Sequence, residues 1–372
     1  MKIKDIQTIC MRVTYTGHQR VQSALGVWNH RNGMFLLVHT DAGITGLGEI
    51  FSNFPQWSHY EKEASVHQGL KPMLIGADPL DREGIWAAIG RKFKQIGLQW
   101  GGLGIAHQVL SGLDIALWDI QGKVAGKPIC ELLESPAESV SVYCSALGPA
   151  GVKEQAAHFL EMGVTAFKLK IGMDIKQDLR NLALLRQTIG PDCLLMVDVN
   201  QGWDLNTALE MAPLLEPFNL YWVEEPLMAD HMEDLEVLVR KTGMRIAGGE
   251  NLYGLDFERH LAKGLLKVCQ PDVTKCGGIT EFLKAAQLAH QYGVDVAPHF
   301  LANGIGYAAT MQVMNASGSL MMEYDHAANP MKDTCVMGTY PVVNGRVKVP
   351  KGPGLGVSLC EEEIRKYVFH PY

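Results

Sequence analysis

From Ser139 onward the chain alternates short apolar runs with amphipathic stretches, and an ionisable residue closes one apolar run after another. Lys168 and Lys170 come first, then Asp198, Glu224 and Glu250, then Asp272, His299 and Glu323. The steps from Asp198 to Glu224 and from Glu224 to Glu250 are both 26 residues, about what a strand, a helix and two short loops consume. Strands are expected near 140–145, 165–170, 194–199, 220–224, 246–249, 267–271, 294–297 and 319–323, separated by helices such as Lys153–Met162, Ile175–Ile189 and Thr280–Tyr292. Eight parallel strands predict a (β/α)8-type TIM barrel, which gathers all its strand tips at one mouth. An open doubly wound sheet satisfies the same alternation and is the alternative fold.

The first part of the chain has a different pattern. Apolar and polar residues alternate over Ile3–Val13 and Met34–His39, and Asp41-Ala42-Gly43 forms a hairpin turn before Thr45–Glu49. Helical patterns follow over Tyr60–Ile75, Asp81–Ile96 and Ile105–Val124, the last stopped by Ala125-Gly126-Lys127-Pro128. The expected division is an α+β domain over 1–125, a barrel over 126–334, and a Gly- and Pro-rich tail over 335–372 that returns to complete the first domain.

A chain of 372 residues with 47% hydrophobic content buries a large core, and a net charge of -7 offers no basic footprint for nucleic acid. The eight cysteines contain no C-x-x-C pair, which disfavours zinc ribbons and disulfide frameworks and suits reduced thiols in the core. The N-terminus has no signal-peptide pattern, and no apolar run approaches the roughly 18 residues of a membrane span. A cytoplasmic protein is expected, without membrane or nucleic-acid partners, and as a homo-oligomer.

Lys168 and Lys170 stand two apart on a strand, so both leave by one face. Two crowded ammonium groups favour loss of one proton, which makes a general base. Asp198 and Asn200 share a face in the same way, and Glu224 and Glu250 repeat the design on the next two strands. Any one acid alone is suited to capping a helix or pairing with an arginine. Three on consecutive strands repel one another unless a cation intervenes, and Mg²⁺ suits all-oxygen ligands. Glu225, one position off, is expected to face away. Asp272 is placed to orient His299 as an acid or base, and Glu323 to act as a neutral carboxylic acid. Gly277-Gly278 reads as a tight turn, and the chain lacks a Walker motif, a dinucleotide fingerprint after a strand and a nucleophile elbow.

These residues resemble the enolase superfamily and, within it, the mandelate racemase subgroup: the K-x-K pair, the VDVN, VEEP and GGEN strand ends, the Asp272/His299 dyad, and the helix from Ser111 to Asp119 that leads into the barrel. The superfamily is also a worked case of a Lys or His base acting with Mg²⁺. The resemblance implies a modified (β/α)7β barrel with a capping domain. It also implies Mg²⁺ on Asp198, Glu224 and Glu250, and abstraction of the proton α to a carboxylate to give an enediolate. Lys170 would be the base, with Lys168 holding its pKa down; His299 would serve the opposite face, and Asn200 and Asn251 would contact the substrate. Dehydration of a sugar acid, aldonate or aldarate, to a 2-keto-3-deoxy acid is the favoured outcome. Racemisation or epimerisation of a 2-hydroxy acid follows instead when the β-hydroxyl is missing. A Schiff-base lyase and a non-catalytic binding protein are rivals of other classes. Substrate choice is assigned to the capping loops, with Arg20 or Arg31 binding distal oxygens and Trp28 shielding the site.

Overall fold

A computed structural model describes residues 1–15 and 21–370. The chain begins as an antiparallel sheet in which Ile3–Thr14 pairs with His30–Thr40, and His30–Thr40 with Thr45–Glu49. Helical chain over 58–74 and 82–100, each stretch containing a π-helical segment, covers this sheet. Helix Leu103–Ala125 follows and stops at Gly126 in the left-handed region. It is apolar around most of its circumference because it lies between the capping sheet and the barrel.

Polar groups of that helix pin the two layers together. Asp114 accepts hydrogen bonds from the Thr280 N–H (2.8 Å) and hydroxyl (2.6 Å), and Ser111 Oγ accepts from Gly277 and Gly278 N–H (2.9 and 3.0 Å). The two glycines therefore turn the chain against the capping helix. Asp119 accepts from Leu47 N–H and Leu355 N–H, both at 2.8 Å. The capping strand reaches the helix closely enough that a Cβ on Gly48 would lie 1.9 Å from the Gly112 carbonyl oxygen.

The second part is a curled parallel sheet of eight strands: Ser139–Leu147, Ala166–Lys170, Leu194–Asp198, Trp222–Glu224, Ile246–Gly248, Val268–Cys269, Asp295–Val296 and Met322–Asp325. Each of the first six strands pairs with the next, and the eighth pairs with the first. Leu320 N–H donates to Val296 O (2.8 Å), joining the seventh strand to the approach to the eighth. The sheet is thus a modified TIM barrel, and the open-sheet alternative is excluded. A helix of at least eight residues follows each of the first seven strands, whereas the eighth is followed by the four-residue helix Pro330–Asp333. Tyr143, Ala166, Met196, Trp222, Ala247, Val268 and Ala297 form an apolar cluster contributed by seven of the strands, which makes a solid floor beneath the mouth.

The tail adds Arg346–Lys348 antiparallel to the first barrel strand, and Phe369 N–H then donates to Cys10 O (3.0 Å) in the capping sheet. A second tie comes from Glu49, whose carboxylate accepts from Asn303 N–H (2.7 Å), Asn303 Nδ2 (2.9 Å) and Gly306 N–H (2.8 Å) at the start of helix Gly304–Val313. A capping-domain acid therefore caps the helix that follows the His299 segment. All eight cysteines are free thiols, six of them buried. No helix among the described residues is long and apolar enough to cross a membrane.

Replacing Gly48 with Ala forces the strand off the helix and is expected to cost about 3 kcal/mol. Urea unfolding measures this, and an unchanged midpoint would refute the close-approach account.

Candidate active site

The register of the second, third and fourth barrel strands sets Lys170 beside Asp198 and Asp198 beside Glu224. Strand pairing alone therefore brings an ammonium and two carboxylates to one level. Lys168, one layer deeper, places Nζ 2.6 Å from Glu224 Oε1, 3.0 Å from Glu323 Oε1 and 3.9 Å from Asp198 Oδ2. Burial pushes its pKa down, but the charges of Glu224 and Glu323 outweigh burial and hold it well above the usual lysine value. The second oxygen of Glu224 accepts from Gln270 Nε2 (2.7 Å) and Trp222 Nε1 (3.1 Å).

Lys170 Nζ donates to Asp198 Oδ2 (2.7 Å) and Asn200 Oδ1 (2.8 Å). Lys168 does press the Lys170 pKa down, as expected, but it does not set the net direction. Burial and Lys168 both act downward, but the Asp198 carboxylate prevails and the pKa is raised.

On the other side, His299 Nδ1 donates to Asp272 Oδ2 (2.7 Å), and Asp272 Oδ1 is fixed by the Thr274 N–H (2.7 Å) and hydroxyl (2.6 Å). His299 Nε2 lies 2.7 Å from Glu250 Oε2 and 4.0 Å from Glu323 Oε2. Burial would lower its pKa, yet Glu250, Glu323 and Asp272 together raise it well above the ordinary imidazole value. Glu323 Oε2 also accepts from Phe300 N–H (3.0 Å). The eighth strand runs to Asp325, two residues past its expected end, so Glu323 lies inside the strand.

Two residues of this site escaped the sequence reading. Glu225, expected to face away, is buried and lines the cavity, because the fourth strand ends at Glu224 and the chain turns with φ +38° at Glu225. Its carboxylate accepts from Asn251 Nδ2 (2.9 and 3.1 Å), and burial, then the charges of Glu250 and Asp198, push its pKa up to about 8. Lys275, in the turn after Asp272, contacts Glu250 Oε1 (3.2 Å) and Asn251 Oδ1 (3.0 Å) and lies 4.8 Å from the Phe51 ring centre. Its sequence signal is slight, a lysine three residues after Asp272, and in the structure the whole run Pro271–Gly278, Lys275 included, is buried.

A cavity of about 220 Å³ lies over these groups. The barrel contributes Lys170, Asn200, Glu225, Glu250, Asn251, Lys275 and His299 to its walls, and the capping domain contributes Trp28, Arg31, Phe51 and Phe54. Trp28 packs on Phe54 with ring centres 4.4 Å apart at 70°. Arg31 is buried and ion-paired with Asp325. Arg20 lies outside the described residues.

Among the described residues no three His, Cys, Asp or Glu side chains converge as a ready metal cage. Asp198, Glu224 and Glu250 instead each face a side-chain cation. The donor chemistry nonetheless suits a hard dication. Asp198, Glu224, Glu225, Glu250, Asp272 and Glu323 crowd a mouth in which Lys168, Lys170, Lys275 and His299 are the facing cationic or protonatable side chains among the described residues, Arg31 being paired with Asp325. Burial and the neighbouring carboxylates push the pKa of Glu224 up to about 7 and that of Glu225 up to about 8, a crowding of acids that a divalent ion would relieve.

The sequence profile of enolase C-terminal domain-like proteins matches residues 151–363, and that of the mandelate racemase/muconate lactonizing enzyme N-terminal domain matches residues 5–134. The chain is 31% identical to a D-galactarolactone cycloisomerase of Agrobacterium fabrum, over 93% of this chain and 94% of the relative. It is 30% identical to an arabinonate dehydratase of Saccharolobus solfataricus, over 98% and 99%. A racemase from Streptomyces coelicolor A3(2), solved with bound magnesium, superposes with a TM-score of 0.88 at 30% identity and covers 99% of this chain and 100% of its own.

Buried Asp325 has its pKa lowered to about 2: burial acts upward, but Arg31 and then Lys332 act downward more strongly. Its folded value lies below the ordinary 3.8, so its stabilisation is full above pH ~4 and is lost as pH falls toward ~2. The gap corresponds to ~2 kcal/mol. Asp325→Asn should flatten that part of the stability curve in urea titrations between those pH values, and an unchanged acid limb would count against it.

Proposed function

We propose, on the premise that this chain belongs to the enolase superfamily and to its mandelate racemase/muconate lactonizing group, that it removes the proton α to a sugar-acid carboxylate and expels the β-hydroxyl as water. The product is a 2-keto-3-deoxy acid. The observation that supports this reading best is that Lys170 and the Asp272-held His299 line one cavity from non-adjacent strands, with Glu250 between them. In this reading Lys170 Nζ accepts the α-proton, and Asn200, bonded to it, fixes its direction. His299, whose charged form is favoured by Glu323 and by the Asp272 hydrogen bond at Nδ1, delivers a proton from Nε2 to the departing hydroxyl. Atoms balance: the α-proton stays on Lys170, water leaves, and the enol so formed tautomerises to the ketone. Glu323 and Lys168 fix the floor, and Asn251 hydrogen-bonds at the rim.

Asp198, Glu224 and Glu250 would hold Mg²⁺, which would supply a positive field for charge developing on the substrate carboxylate and would offset the Asp198 charge that keeps Lys170 protonated. The eight free thiols support a reducing, cytoplasmic setting.

A second reading keeps the same proton abstraction but expels a ring oxygen instead of hydroxide. The observation favouring it is the 31% identity to the D-galactarolactone cycloisomerase. A racemase would need only the return of the proton to the opposite face.

Lys170→Ala and His299→Asn are each expected to lower kcat about 10³-fold or more on the true substrate with circular dichroism unchanged. The assay is 2-keto-3-deoxy acid formation from a panel of sugar acids in D₂O, which also reports racemisation as deuterium uptake. Full turnover in either variant removes that residue from the mechanism. Chelation with EDTA should silence the enzyme and Mg²⁺ restore it; activity that survives exhaustive chelation refutes the metal assignment.

A further inference from the structure

The three acids assigned to Mg²⁺ do not meet equivalent cations. Lys170 beside Asp198 is the proposed base, and Lys168 beside Glu224 is shared with Glu323 and Asp198. Glu250 meets Lys275, whose Nζ lies 3.2 Å from Oε1 and donates to Asn251 Oδ1 (3.0 Å). The other oxygen, Oε2, faces His299 Nε2 (2.7 Å). Lys275 is buried, and its ammonium sits 4.8 Å from the centre of the Phe51 ring, in a capping segment whose Phe51 N–H donates to Thr274 O (3.4 Å). These contacts fix a positive charge where little water screens it. The proton transfers proposed above leave this lysine out.

Two effects of such a neighbour compete. A hydrogen-bond partner behind a metal ligand orients it and strengthens its hold, so losing that partner weakens metal binding. A buried ammonium also offsets the charge of the carboxylate and repels a second cation close by. Asn251 Nδ2 donates to the same Glu250 Oε1 (3.3 Å), so an orienting contact persists when the ammonium is removed. The charge effect therefore wins at Lys275.

We propose that Lys275 is a positioning residue that acts through Glu250: it offsets part of that carboxylate's charge, so that Mg²⁺ is held less tightly and keeps more of its positive field for the substrate carboxylate. This rests on the metal assignment above and adds to it a residue outside the ligand set.

The test titrates Mg²⁺ by calorimetry into the metal-stripped full chain, unaltered and as Lys275→Gln, Lys275→Met and Lys275→Arg, with circular dichroism to check folding. Both neutral variants are expected to bind Mg²⁺ about tenfold more tightly, and Lys275→Arg, which keeps the charge, to stay within about twofold of the unaltered chain. At saturating Mg²⁺ the neutral variants are expected to lose about tenfold in kcat on the acid that the substrate panel identifies. Lys275→Gln decides the outcome if Lys275→Met does not fold. Unchanged or weaker Mg²⁺ binding in a folded neutral variant overturns the inference, since weaker binding is what a purely orienting lysine predicts. Equal tightening in Lys275→Arg, or an undiminished kcat in the neutral variants, overturns it as well. Failure of the unaltered chain to bind Mg²⁺ overturns the metal assignment and this inference with it. Tighter binding by the neutral variants without deuterium uptake from any acid leaves the inference standing and overturns the proton-abstraction reading instead.

Discussion

The ammonium of Lys168 is the charge around which the barrel mouth is organised. It lies within 4 Å of Glu224, Glu323 and Asp198, on three different strands, and is itself fully buried. Carboxylates this close would repel strongly in a poorly hydrated interior, and removing one partner of such a cluster leaves an uncompensated charge. Every other feature of the site is layered on this cluster: Lys170 sits one register step nearer the mouth, and Glu323 links the cluster to the Phe300 backbone beside His299.

The molecule assigns chemistry and recognition to different bodies. The barrel fixes Lys170, Asp198 and Glu224 at one level by strand pairing, and holds Glu250, Asp272 and His299 two or three residues beyond the ends of their strands. The capping domain supplies Trp28, Phe51, Phe54 and Arg31 from strands and loops outside the barrel. Such a division works only if the two bodies stay in register. The buried hydrogen bonds of Asp114, Ser111 and Glu49 across their interface do this, since each would leave unsatisfied donors if the domains slid.

Much of this was legible in the chain because the spacing of strand-end residues is a one-dimensional image of a parallel barrel. The 26-residue steps between Asp198, Glu224 and Glu250 gave both the fold and the level of the carboxylates. The same periodic logic failed where a strand stopped. Alternation sent Glu225 outward, yet the backbone leaves the strand at that residue and turns the side chain back. Lys275 was invisible for a related reason: it sits in a turn, where no period says which way a side chain points. Electrostatic sign was equally out of reach, since whether Lys168 or Asp198 dominates the Lys170 pKa depends on distances of a few ångströms.

By itself, then, the amino-acid order determined the barrel, the identity of the acid, base and carboxylate candidates, and their common mouth, because strand period and βα-unit length are local properties. Tertiary structure alone decided that Glu225 and Lys275 join the site, that Arg31 spends its charge on Asp325, and that Glu49 caps a helix 254 residues away. These depend on contacts between segments remote in sequence, and their energies are set by burial and separation, which no spacing along the chain encodes.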